Sequence, residues 1–165
     1  MNPGLMLLST MFVPLAVASA QVKQSGGEAA TPPSASTIAA KAKNAKLDSK
    51  HAKSAAINGK KFNIVPADFS SIASREQLSA GVFLGVLDNE AGTSEDVSLP
   101  PGRFNLYLNQ AGGQWQAYAE QGGKIYKAKR AIERPDTPAN MDPTFNRGSG
   151  CWWLWLIFTG INVCW

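Results

Sequence analysis

From Lys61 onward apolar and polar side chains alternate in short runs separated by Gly, Pro and Asn clusters, whereas the stretch before it has almost no large apolar residues. Period-two alternation over four to eight residues marks strands with one buried face. The pattern predicts strands at Phe62–Val65, Gly81–Leu87, Asp96–Leu99, Arg103–Asn109, Gln114–Glu120 and Lys124–Ile132. Between the first two, Asp68–Leu78 suits a short helical turn capped by Asp68 or Ser71.

The hairpin around Gln110-Ala111-Gly112-Gly113 is the best-defined piece. A four-residue loop there sets Leu108 opposite Trp115, Leu106 opposite Ala117 and Phe104 opposite Ala119 on one face. The other face then carries Arg103, Asn105, Tyr107, Gln116 and Tyr118. A turn at Gln121-Gly122-Gly123 adds Tyr126 to that face, opposite Tyr118, and turns Lys127 and Lys129 inward, as at a sheet edge. Aromatic rings beside amide and guanidinium donors suit a sugar or peptide. Tyr107, Tyr118, Tyr126, Arg103, Asn105 and Gln116 are therefore the candidate ligand-binding residues, though tyrosine also favours strands for structural reasons alone.

The segment Asp96-Val97-Ser98-Leu99-Pro100-Pro101-Gly102-Arg103-Phe104-Asn105-Leu106-Tyr107-Leu108 resembles the leucine-proline-proline-glycine strand of immunoglobulin-like and prealbumin-like sandwich modules, the carboxypeptidase-regulatory-like repeats among them. The resemblance implies a β-sandwich and no catalytic residues.

The regions on either side differ in character. Residues 1–20 read as a cleavable signal peptide, with an apolar run from Leu5 to Val17 and small residues at Ala18-Ser19-Ala20. The mature chain is then expected to be exported: periplasmic, cell-surface or secreted. Residues 21–60 form an Ala/Lys-rich low-complexity arm, disordered or partly helical, whose Lys41–Lys53 stretch could contact an anionic polymer. Residues 61–134 hold the β-sandwich, and residues 135–150 are a linker by composition.

Residues 151–165 contain no charge and four of the five tryptophans. Within this tail Thr159-Gly160 supplies a turn signal, yet direct pairing of its two cysteines would centre the turn on Ile157-Phe158, so a bulge or irregular loop is expected. The preceding linker favours a semi-independent tail, with Trp152, Trp153, Trp155, Phe158 and Trp165 contacting a membrane interface or a partner.

Charge follows the same division. Seven lysines against Glu28 and Asp48 give residues 21–60 a net of +5, while residues 61–134 carry eight of each sign. The overall +4 thus belongs to the arm and not to the domain. Cys151 and Cys164, the only cysteines, are expected to form a disulfide in an oxidising compartment.

Enzyme signatures are scarce. His51, the sole histidine, lies in the arm, so neither a Ser-His-Asp nor a Cys-His arrangement is expected in the domain. The acidic loop Asp88–Asp96 lacks the regular ligand spacing of a calcium loop, and the diglycines match turns rather than phosphate loops. No metal or cofactor is expected.

The fold class expected is mostly β: a small antiparallel β-sandwich with a short helical turn, flanked by the arm and the apolar tail. The function expected is a non-catalytic binding or attachment module for envelope glycan or a protein partner, with specific nucleic-acid recognition unsupported. The alternative is a carrier of a membrane-active or signalling peptide in residues 151–165.

Overall fold

Three two-residue turns set the first sheet. Asn58-Gly59, Gly112-Gly113 and Gly122-Gly123 all have positive φ at both positions, the geometry that closes a tight hairpin without splaying its strands. In the computed structural model, which describes residues 32–135, 141–156 and 158–165, these turns help build a six-stranded antiparallel sheet. Its strands are β1 (Ala56–Ile57), β2 (Lys60–Pro66), β3 (Val82–Asn89), β4 (Gly102–Ala111), β5 (Gln114–Gln121) and β6 (Lys124–Lys127), neighbours in sequence order. The predicted export signal, residues 21–31 of the arm and residues 136–140 of the linker lie outside the described residues.

The tight turns correct both predicted registers. Leu108 pairs with Ala117 and Leu106 with Ala119, two residues from the expected pairing. Because side chains alternate with period two, that shift leaves every residue on its predicted face. The second turn differs by one residue, so Ala119 pairs with Tyr126 and Glu120 with Ile125. That single step moves Tyr126 to the core face, 5.8 Å from the Phe104 ring, and leaves Lys127 and Lys129 exposed rather than inward.

The predicted strand Lys124–Ile132 is two strands in different sheets. At the corner the Ala128 N–H donates to the Ala117 carbonyl, 2.9 Å, and the Lys129 N–H donates to the Cys164 carbonyl, 2.8 Å. The chain then enters a second antiparallel sheet made of β7 (Arg130–Arg134), β8 (Thr144–Asn146), β9 (Cys151–Trp155) and β10 (Gly160–Cys164), ordered β7-β10-β9-β8. Asp96–Leu99 is a loop and not a strand, although Val97 and Leu99 are buried. Asn89 braces that loop, donating from Nδ2 to the Leu99 and Pro100 carbonyls and accepting from the Gly92 N–H.

The tail is core, which overturns the expectation of a semi-independent segment. Trp152, Leu154, Leu156, Ile161, Val163 and Trp165 are all buried, in one cluster with Phe62, Leu87, Phe104 and Leu106 of the first sheet. Cys151 pairs directly with Cys164 and Trp155 with Gly160, the Leu156 N–H donates to the Thr159 carbonyl at 2.8 Å, and Gly160 opens the strand in unbroken register. The stretch taken as a linker is also structured. Its Phe145 packs 5.5 Å from Phe62 and 5.1 Å from Trp152, bridging the two sheets.

The arm is likewise part of the fold from Ser34 onward. Helix α1 (Ala35–Asn44) begins where the Ser34 hydroxyl accepts the Thr37 N–H at 3.1 Å, and Lys41 and Lys43 complement the negative end of its dipole. A ten-residue helix is marginal alone. It persists by packing Ile38 on β4 and β5. On either side of a 3-10 turn at Ser49–His51, Leu47 and Lys53 bridge to Ala67, just past β2, and to Ile64 within it. The predicted helical turn is α2 (Arg75–Ala80), capped by Ser74 and closed by Gln77 in a reciprocal capping box, so neither Asp68 nor Ser71 is the cap.

Candidate functional site

The tyrosine face does not assemble into an open site. Helix α1 lies across it, and Ile38 packs against Tyr107 and Tyr118, which are 4% and 2% exposed. The Tyr107 hydroxyl sits so close to Gly81 that a Cβ there would lie 1.8 Å from it. Burial raises the pKa of both hydroxyls above the ordinary tyrosine value, and at Tyr107 the neighbouring Tyr118 adds to the effect. Two buried phenols under a helix are packing residues.

The other predicted ligand residues are dispersed. Tyr126 is on the core face, with the Lys124 ammonium 5.1 Å from its ring centroid. Asn105 donates to the buried Glu120 carboxylate at 2.9 Å, whose other oxygen accepts the Gly123 N–H. Arg103 is exposed and 3.8 Å from Asp88, and Gln116 lines a groove on the far side of β5. Five of the six share the outer face of β4 and β5, but with its two tyrosines covered and Tyr126 on the opposite face they form no open site.

An aromatic and polar face does exist, on the outside of the second sheet. The registers put Trp152 and Leu154 of β9 inward with Ile161 and Val163 of β10. The intervening positions point outward: Cys151, Trp153 and Trp155; Gly160, Asn162 and Cys164; Arg130, Ile132 and Arg134; Thr144 and Asn146. Trp153 and Trp155 are half-buried, with near-parallel rings 5.2 Å apart. The Arg134 guanidinium lies 5.4 Å from the Trp153 centroid, within cation–π reach.

Two small features hold this face in shape. Asn162, itself buried, accepts a hydrogen bond from Arg130 at 3.4 Å and donates to the Trp152 carbonyl at 3.4 Å. Gly160 lies under Trp155, where a Cβ would stand 2.3 Å from the ring. Only glycine leaves the indole room to lie there. The Cys151–Cys164 disulfide closes one end of the face, joining directly opposed positions of β9 and β10.

The sequence reading placed Trp152, Trp153, Trp155, Phe158 and Trp165 together as contact residues. The structure divides them. Trp152 and Trp165 are core, Phe158 packs partly against the core, and Trp153 and Trp155 lie on the outer face. Arg130, Arg134 and Asn162 were missed. The signal was present in the alternation of Cys151-Trp152-Trp153-Leu154-Trp155-Leu156, which separates an inward from an outward set once the segment is taken as a strand.

Several other surfaces are built around packing. The edges of β5 and β7 flank a groove of about 610 Å³, floored by Trp115, whose indole N–H donates to Glu133 at 3.1 Å. Glu133 also pairs with Arg75 of α2 at 2.8 Å and lies 2.9 Å from the Thr159 hydroxyl, so it ties α2, β5 and the β9–β10 turn to β7. A second groove, of about 710 Å³, separates α1 from residues 67–72.

His51 belongs to the fold, contrary to its assignment to a loose arm. Its Nδ1 meets the Asp48 carboxylate, and its Nε2 faces Asp142 at 3.9 Å. Lys53 is 2.6 Å from the same Asp142, and Lys41 donates to the Gly81 carbonyl at 3.2 Å. Two of the arm's lysines thus fasten it to the domain, while Lys43, Lys46 and Lys50 remain exposed. Among the described residues no group of three or more His, Cys, Asp or Glu side chains is placed to hold a metal ion. No described helix is long and apolar enough to cross a membrane.

No family model, no curated protein and no solved structure matches the chain.

Proposed function

We propose that the protein is an exported, non-catalytic attachment module that binds glycan on the outer face of its second sheet. The observation that carries this reading is the stacked pair of half-buried indoles, Trp153 and Trp155, on the outer face of β9, flanked by Arg130, Arg134, Thr144 and Asn146. Indole faces pack against the C–H faces of sugar rings, and the amide, hydroxyl and guanidinium groups beside them supply hydrogen bonds. Export is supported by the disulfide together with the leader-like residues 1–20. The Leu99-Pro100-Pro101-Gly102 approach to β4 and the two-sheet architecture support a likeness to prealbumin-like modules, which are binding scaffolds.

The test is retention on envelope polysaccharide. Trp153→Ala with Trp155→Ala should abolish it while far-ultraviolet circular dichroism stays unchanged. Tyr107→Phe with Tyr118→Phe should leave it intact. Retention that survives loss of both indoles would reject this face as the binding surface.

A further inference from the structure

We propose that the glycan bound on the second sheet is acidic, with Arg130 and Arg134 pairing its carboxylates while Trp153 and Trp155 pack on its sugar rings; this rests on the reading of that face as the binding surface. The outward positions of the sheet include two arginines and no Asp or Glu. Among the described residues neither guanidinium has a carboxylate partner. Two other arginines of the fold do: Arg75 is 2.8 Å from Glu133, and Arg103 is 3.8 Å from Asp88. An exposed face that holds arginines in place by an amide and an indole, and not by acids, keeps their charge available for a ligand.

The geometry suits planar anions. Arg130 is oriented by the buried Asn162 carbonyl, and Arg134 by the Trp153 ring, so part of the cost of ordering two long side chains is met before binding. Guanidinium groups held this way can take a carboxylate through two parallel hydrogen bonds, which an ammonium cannot do. The two arginines are four residues apart on β7, about 13 Å along an extended strand. A polymer with repeated carboxylates offers one to each guanidinium.

A lipid surface fits less well. The face is a flat sheet bordered by the exposed polar Thr144 and Asn146, with Ile132 (37% exposed) as its one exposed aliphatic side chain among the outward positions. Insertion into a bilayer favours a protruding apolar edge, and here amides and guanidinium groups flank the indoles.

The experiment measures binding of the full chain to polygalacturonate, to its fully methyl-esterified neutral form, and to phosphatidylglycerol vesicles by titration calorimetry. Polygalacturonate is expected to bind at least tenfold more tightly than the ester, with the difference shrinking as salt rises. Arg130→Gln with Arg134→Gln should remove that difference, bringing the affinity for the acid down to that for the ester. Lys43→Gln with Lys50→Gln, which removes the same charge from the arm, should change neither. Gly160→Ala should weaken both polysaccharides by displacing Trp155, with circular dichroism unchanged. Equal affinity for acid and ester overturns the acidic assignment and leaves the glycan reading standing. Equal losses from the arginine and lysine pairs overturn it as well, because net charge alone would then account for the binding. Binding to neither polysaccharide overturns both readings, and binding to vesicles alone reassigns the face to a membrane.

Discussion

The outer faces of the two sheets both carry paired aromatic residues, yet one is closed and the other only partly covered. On the first sheet Tyr107 and Tyr118 are neighbours across β4 and β5, and α1 covers them through Ile38. On the second sheet Trp153 and Trp155 are neighbours along β9 and half-buried, with one edge of Trp155 lining a pocket beside Asp48, His51 and Phe69. Alternation within a strand tells which residues share a face, but not whether another part of the chain covers that face. A single isoleucine in an Ala/Lys-rich stretch decides it here. The arm that looked too poor in apolar residues to fold is held by Ile38 and Ile57 in the core and by the contacts of Lys41 and Lys53, because the domain supplies the rest of the contact.

The largest effect expected from breaking this comparison comes from removing the second sheet. Truncation after Gly150 deletes β9 and β10, with Trp152, Leu154, Ile161, Val163 and Trp165 of the core. Truncating one large core side chain costs about 2–5 kcal/mol, and a whole domain is stable by about 5–15 kcal/mol. The shortened chain should therefore lose its cooperative thermal transition. A truncated chain that still unfolds cooperatively would show that the second sheet is an accessory to the first.

A smaller effect is expected at the cover of the first sheet. Ile38→Ala should cost about 2–5 kcal/mol in urea unfolding, at the lower end if α1 can settle onto the tyrosines. It should also raise hydrogen exchange throughout α1 and quicken reaction of Tyr107 and Tyr118 with tetranitromethane. An Ile38→Ala protein with unchanged stability and unchanged tyrosine reactivity would mean that α1 does not close this face.

The smallest effect concerns pH. Both buried phenols have a folded-state pKa above the ordinary 10.0, so each favours the folded state while neutral. Their contribution is complete below pH 10 and is lost as pH rises through the folded-state values. Stability should fall above about pH 10, and Tyr107→Phe with Tyr118→Phe should flatten that fall. An equal alkaline decline in wild type and double variant would assign the effect to other groups.

Much of this architecture is legible in the chain itself. The strands at Phe62–Val65, Gly81–Leu87, Arg103–Asn109 and Gln114–Glu120 form close to their expected bounds, because each is a period-two run bounded by turn residues. The core faces of β4 and β5 follow, since a register error of two residues preserves them. Tyr126 shows the opposite case. A three-residue turn in place of two flips the strand after it, and composition near Gly122-Gly123 does not distinguish the two lengths. The disulfide is the expected pairing of the chain's only two cysteines.

The proposed binding face is hidden for a different reason. Its residues come from β7, β8, β9 and β10, and their adjacency depends on β10 inserting between β7 and β9. Arg130 and Trp153 are far apart in sequence, and no local pattern joins them. The structured part of the supposed linker was missed as well, because β8 is only three residues long and its anchor Phe145 stands alone between Pro143 and Gly148.

Hydroxyl-radical footprinting of the native chain, read by mass spectrometry at single residues, tests the contrast between the two faces most directly. Trp153 and Trp155 should be oxidised well before Trp152 and Trp165, and Tyr107 and Tyr118 should stay protected until the protein unfolds. Oxidation of Tyr107 and Tyr118 as early as that of Trp153 and Trp155, or protection of both outer indoles, would contradict the account.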